Sequence, residues 1–91
     1  MEALFPLGQI VATPGALDAL TRADQTPSEF LCRHSAGGWG QLDVHDTAEN
    51  LYGLKYGFRV LSSYRTNAGD TLWLITEADR ANTTILLPKE Y

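Results

Sequence analysis

Ninety-one residues are enough for one hydrophobic core and no more, because a chain this short buries only about 60 to 65% of its extended-chain surface on folding. The hydrophobic fraction of 44% and charged fraction of 20% exclude a disordered or low-complexity chain. Seven basic against eleven acidic side chains leave a net charge of -4, the wrong sign for a protein that grips nucleic acid through its phosphates.

No apolar run approaches the roughly 18 to 20 residues that span a bilayer, and Met1 to Ala19 lacks the basic start and continuous apolar centre of a signal peptide. Cys32 is the only cysteine, so no internal disulfide framework exists. The expected compartment is the cytoplasm. The expected state is a monomer or small homo-oligomer with no membrane association.

In chain order, Gln9 to Ala12 reads as a short strand, which Pro6 just upstream confines to an edge. Thr13-Pro14 opens a short helix that ends between Thr21 and Gln25, with Ala16, Leu17 and Leu20 on its apolar side. Thr26-Pro27-Ser28-Glu29 has the pattern of a capping box and opens a second helix to about Ala36. Phe30, Leu31 and His34 share its inward face, and Glu29 and Arg33 form an exposed pair. A third helix is expected from Asp46, with Glu49 three residues on, and with Ala48, Leu51, Tyr52 and Leu54 as its apolar stripe. Gly53 weakens its middle and Gly57 ends it.

From Phe58 the hydrophobic period becomes two, which marks a strand to Arg65. Thr66 to Asp70 is a hairpin loop, Thr71 to Thr76 a central strand with Trp73 as a core anchor, and Thr83 to Leu87 a last strand stopped by Pro88. The expected fold class is α+β: two or three short helices on a three- to four-stranded antiparallel sheet. Residues 1–57 hold a strand and the helices, and residues 58–91 form an antiparallel meander.

The stretches F-P-L-G-Q-I-V-A-T-P-G-A-L (Phe5 to Leu17), P-S-E-F-L (Pro27 to Leu31), R-H-S-A-G-G-W-G (Arg33 to Gly40), T-L-W-L-I-T-E-A-D-R (Thr71 to Arg80) and T-T-I-L-L-P (Thr83 to Pro88) resemble a family of small bacterial proteins. Its members, carried on plasmids and integrated elements, are labelled plasmid-related proteins and sometimes subunit M of a type I restriction endonuclease. The resemblance covers nearly the whole chain. It implies an accessory protein of mobile DNA and assigns no catalytic residue. A methyltransferase subunit would need a cofactor-binding α/β domain with a Gly-rich loop after a strand, which this chain lacks.

Cys32, His34, Asp43, His45 and Asp46 are metal-ligand types. Cys32 and His34, two apart on a helix, point in different directions, so neither a metal nor a cofactor is expected. Arg59, Arg65 and Arg80 on a helix-plus-meander frame, with Glu77 and His45 as acid and base, would suit a small ribonuclease toxin, the alternative reading. The leading expectation is a non-enzymatic protein that binds another protein, such as a component of host defence (CRISPR or restriction) or regulation. Trp39, Asp43, Asp46, Glu77, Asp79 and Arg80 are its candidate contact residues. Trp39 belongs to an aromatic set with Tyr52, Tyr56, Tyr64 and Trp73 of the kind that anchors interfaces.

Overall fold

Three helices pack against a four-stranded sheet in a computed structural model that describes residues 3–91; the first two positions of the expected 1–91 domain lie outside it. The order along the chain is β1 (Gln9–Ala12), α1 (Pro14–Ala23), α2 (Pro27–Ser35), α3 (Val44–Tyr56), β2 (Val60–Arg65), β3 (Thr71–Thr76) and β4 (Asn82–Leu86), closed by a 3-10 turn at Pro88–Glu90. The class is α+β. Across the sheet the strands run β1-β4-β3-β2.

The meander β2-β3-β4 is antiparallel, and β1 lies parallel to β4, pairing Gln9 with Asn82 and Ala12 with Ile85. This corrects the expectation of a wholly antiparallel sheet. Periodicity reveals that a segment is a strand and is silent on its direction beside a strand seventy residues away. The chain leaves the sheet after β1, forms all three helices, and returns at the opposite edge as β2. Strand limits also shift by one or two residues: β2 begins at Val60 rather than Phe58, and β4 occupies Asn82–Leu86 rather than Thr83–Leu87.

Register sorts the side chains onto two faces. Val60, Ser62, Tyr64, Leu72, Leu74, Thr76, Thr83 and Ile85 point to one side, where all are buried. Ala16, Ala19 and Leu20 of α1 and Phe30 of α2 complete that core, and Phe5, Trp39 and Val60 form a second cluster beside it. The opposite face carries Leu61, Trp73, Ile75 and Leu86. Trp73 is only half-buried there, so it is a surface side chain of the sheet and not the core anchor expected.

Capping explains α1 well: the Thr13 hydroxyl accepts from the Ala16 amide at 3.1 Å, with Pro14 at the first helical position. The same hydroxyl donates to Glu90 at 2.6 Å, and Glu90 also accepts from the Leu87 amide, so the end of the chain ties onto the start of α1. The capping box expected for α2 does not close. Thr26 makes no side-chain cap bond, and Glu29 instead accepts from Gln25. Arg33 lies over the Tyr64 ring, 4.5 Å from its centroid, rather than beside Glu29.

The third helix departs furthest from expectation. It starts three residues early because Asp43, not Asp46, caps it, accepting from the Asp46 amide at 2.8 Å. Its buried residues are Asn50 and Gly53, while Leu51 and Tyr52 of the expected stripe stay 57% and 56% exposed. Of the expected stripe, Leu54 packs against the Phe5–Trp39–Val60 cluster, and the buried side of the helix is held by backbone recognition. Asn50 donates from Nδ2 to the Leu61 carbonyl at 2.6 Å and accepts from the Leu61 amide at 2.9 Å, so its side chain imitates a neighbouring strand on the outer edge of β2. Gly53 permits the approach, since a Cβ there would lie 2.9 Å from the Arg59 carbonyl oxygen.

Replacing Asn50 by Ala strips two bonds from a largely covered peptide and leaves both of its groups unpaired. A loss of about 2 kcal/mol is expected from the cost of orphaned buried groups. Urea unfolding of the variant, read as a lowered midpoint at unchanged slope, checks it; an unchanged midpoint would show that α3 is held by apolar contacts after all.

Candidate functional site

A groove of about 770 Å³ opens between α3 and the sheet face opposite α1 and α2. Its floor is Leu61, Trp73 and Ile75, side chains that alternate with the core residues along β2 and β3. Ala48, Glu49 and Tyr52 of α3 line it together with Phe58, Arg59 and Tyr91. Tyr91 reaches it because the 3-10 turn folds the last residues back under the sheet. Its ring meets Trp73 edge-on at 5.7 Å, and its hydroxyl accepts from Arg59. Tyr52 stacks on Phe58 at 5.6 Å and touches Tyr56 at 4.5 Å, and all three rings are more than half exposed. His45 and Asp46 close one end, with His45 bonded to Glu49 at 2.9 Å.

This aromatic face follows from how α3 is anchored. A helix that buried its apolar stripe would have hidden Tyr52. Because Asn50 and Gly53 face the sheet edge, the aromatic side chains are turned toward solvent and the groove.

Of the six residues predicted as contacts, Asp46 alone lines this groove. Trp39 is 7% exposed and packs with Phe5 and Val60, so it belongs to the interior; its indole N–H has no protein partner. Asp43 is consumed as the cap of α3. Glu77, Asp79 and Arg80 sit in the β3–β4 turn. There Asp79 accepts from the Ala81 amide at 2.9 Å, and the Glu77 carbonyl accepts from the Arg80 amide at 2.9 Å.

Arg80 works as a clamp rather than a free cation. Its guanidinium donates to the carbonyls of Phe58 at 2.7 Å, Gly53 at 3.1 Å and Glu77 at 3.2 Å, and lies 5.5 Å from the Phe5 ring centroid. One side chain therefore joins the end of α3, the approach to β2, the β3–β4 turn and the segment before β1. The backbone of Arg80 is held at φ 61 to bring this about. The ribonuclease constellation is dispersed accordingly: of His45, Arg59, Arg65, Glu77 and Arg80, only His45 and Arg59 line the groove.

A Ser–His contact does exist, and pattern reading missed it. His34 Nδ1 meets the Ser62 hydroxyl, and Nε2 meets Thr76 Oγ1 at 2.9 Å. Thr76 continues to Thr83 at 2.6 Å, and Thr83 donates to the Leu7 carbonyl at 2.7 Å. Proton counting assigns the tautomer. Thr83 spends its hydrogen on Leu7, so Thr76 donates to Thr83 and accepts from Nε2–H, which leaves Nδ1 to accept from Ser62. Such a pair is the arrangement of an activated nucleophile, but His34, Ser62, Thr76 and Thr83 are all fully buried and none borders the groove. They satisfy one another. Among the described residues no group of three or more His, Cys, Asp or Glu side chains is placed to hold a metal ion, and no helix is long and apolar enough to cross a membrane.

No family model, curated protein or solved structure matches this chain.

Two expectations follow from these contacts. Burial, reinforced by the nearby Arg80 charge, pushes His34 down from 6.5 to about 4. The unfolded chain therefore takes up a proton that the folded chain refuses, so stability is flat above the unfolded value and falls as pH drops between the two. Urea unfolding between pH 8 and pH 5 should lose about 2 kcal/mol from this group; constant stability over that interval would refute a neutral buried His34. Arg80→Lys keeps the charge and loses the fork. It should cost about 1 kcal/mol through the lost guanidinium bonds, of which the one to the Phe58 carbonyl has no protein replacement, read as a lower thermal midpoint.

Proposed function

We propose that this chain is a non-enzymatic protein-binding module that seats apolar side chains of another protein in the groove between α3 and β2-β3. The observation that carries this reading is the aromatic lining: Tyr52, Phe58 and Tyr91 are each more than half exposed and converge on one concavity. Large aromatic side chains gathered around a depression are the usual anchors of protein interfaces, where a few of them hold most of the binding energy. Exposed singly, each would need no explanation; together they form the kind of patch that marks an interaction site.

Charge indicates the partner's character. Two carboxylates, Asp46 and Glu49, border the groove against one guanidinium, Arg59, whose side chain is turned to the Tyr91 hydroxyl. An apolar anchor flanked by basic residues would meet complementary potential there, which favours encounter and orientation. The resemblance to proteins of plasmids and integrated elements supports a cytoplasmic accessory role in mobile DNA and directs attention to host defence or regulatory proteins as partners. The ribonuclease alternative has less support, because the Arg80 side chain is spent on carbonyls and of its five residues only His45 and Arg59 line the groove.

Affinity capture from host lysate with Tyr52→Ala/Phe58→Ala beside the parent chain tests the proposal. Loss of two anchors is expected to weaken a specific partner at least about 30-fold, the equivalent of about 2 kcal/mol. Leu17→Ala, at an exposed apolar position on α1, should leave capture intact. Equal recovery of the partner by parent and groove variant would overturn the assignment of this surface.

A further inference from the structure

The two edges of the sheet are treated differently. At β2 the outward peptide groups of Leu61 and Ser63 are occupied: Leu61 by the Asn50 side chain, and Ser63 by the Trp39 carbonyl at 3.1 Å and the Gln41 amide at 2.7 Å. The chain commits specific residues to that closure. Gly40, at φ 77, sits where any Cβ would collide with the Ser63 carbonyl and the Tyr64 ring. An edge covered in this way cannot template another strand.

Among the described residues no such device covers β1. Parallel pairing with β4 uses the amide of Gln9, which donates to the Ala81 carbonyl at 3.0 Å, and that of Thr13, which donates to the Ile85 carbonyl at 3.0 Å. Between them the register turns Val11 toward β4, so the N–H and C=O groups of Ile10 and Ala12 point away from the sheet. The side chains of Ile10 and Val11 are 42% and 44% exposed. Gln9–Ala12 contains neither proline nor charge, and no Asp, Glu, Lys or Arg occurs from Ala3 through Leu17. Of the usual protections of an edge strand, β1 has only its shortness, four residues; charges, lysines, prolines and bulges are missing from Gln9–Ala12.

We propose that β1 is a self-association edge, at which two copies of this chain pair their β1 strands antiparallel about a two-fold axis at Val11 and merge two four-stranded sheets into one of eight. A second copy is the occupant this edge fits. The chain is acidic overall, at -4, so two copies repel least where they meet through an uncharged stretch, and β1 lies in the middle of one. The edge also has nothing with which to read a charged strand. A two-fold contact is self-complementary by construction.

The geometry follows from which groups are free. With the axis at Val11, Ile10 of each copy faces Ala12 of the other in a hydrogen-bonded pair that exchanges both bonds. The two pairs together satisfy every outward group of Ile10 and Ala12 with four hydrogen bonds. The two Val11 residues then form the close, non-hydrogen-bonded pair between them, with Cα atoms about 4.5 Å apart. The groove takes no part in this contact, so the proposal stands independently of the function assigned to it.

Sedimentation equilibrium from micromolar to submillimolar concentration tests it with the parent chain, Val11→Lys and Tyr52→Ala. The parent should show a monomer–dimer equilibrium. Val11→Lys, which sets two like charges side by side, should weaken it at least tenfold, and Tyr52→Ala should leave it unchanged. A parent that stays monomeric throughout, or a dimer that Val11→Lys does not weaken, would overturn the proposal. Oxidation of Val11→Cys in a Cys32→Ser background gives a readout that does not depend on how Val11→Lys folds. It should give a covalent dimer much faster than Asn67→Cys, at the hairpin tip, in the same background. Equal cross-linking of the two would also overturn it.

Discussion

A line of hydroxyls on the helix-facing side of the sheet has to be satisfied before that side can be buried. Ser62, Thr76 and Thr83 lie on strands that otherwise present Val60, Leu72, Leu74 and Ile85 to the helices. Leaving even one such group unpaired costs about 1 to 3 kcal/mol, as much as a well-buried aliphatic side chain contributes. His34 resolves this with two ring nitrogens, accepting from Ser62 and donating to Thr76, while the Leu7 carbonyl takes the last proton from Thr83. The position of α2 over the sheet is thereby tied to one register, because a turn of the helix in either direction would remove the imidazole from both partners. The segment before β1 is fixed by the same chain of bonds, so helix, meander and amino-terminal strand are locked through polar atoms inside an otherwise apolar core.

Arg80 performs the matching task close by, 5.5 Å from the centroid of the Phe5 ring that packs edge-on against His34. Three carbonyls near the close of α3, before β2 and in the β3–β4 turn converge on one guanidinium, which is the sole partner of Phe58 and a second partner for Gly53 and Glu77, whose carbonyls also accept from backbone amides. Its charge stays near His34 and helps to keep that ring neutral. The two polar devices support each other: a protonated His34 would repel Arg80, and a displaced Arg80 would release the turn from which Thr83 enters β4.

The parts of this arrangement that are local in sequence were readable from it. The β1 limits, the Thr13-Pro14 start of α1, the Pro27 start of α2 and the alternation of β2 and β3 all depend on neighbours within a few residues, and the structure keeps them. What could not be read depends on distant partners. The parallel pairing of β1 with β4, the preference of Glu29 for Gln25 over its own cap, and the use of Arg80 as a clamp are set by residues far apart in sequence or by competition among near-equal options. Pattern reading selected Trp39 because it stands between small residues, and Trp39 is interior because Gly40 lets that segment press against β2. The aromatic set did contain Tyr52, Tyr56 and Trp73, but Phe58, Arg59 and Tyr91 join the groove only through the fold.

The apolar stripe of α3 misleads for a reason that bears on the site itself. Amphipathic reading assumes that a helix is held by its most hydrophobic side, and here only Leu54 of the expected stripe packs against the core, beside a buried amide side chain and a glycine. A helix anchored by two directional bonds to a strand edge can leave Leu51, Tyr52 and Tyr56 in solvent without losing its place. The same bonds seal the outer edge of β2, so a single residue, Asn50, both closes one route of association and exposes the aromatic surface that offers another. The groove depends on that anchoring as much as on its own lining, and a change at Asn50 would be felt in Tyr52 and Phe58 before it was felt in the core beneath α1 and α2.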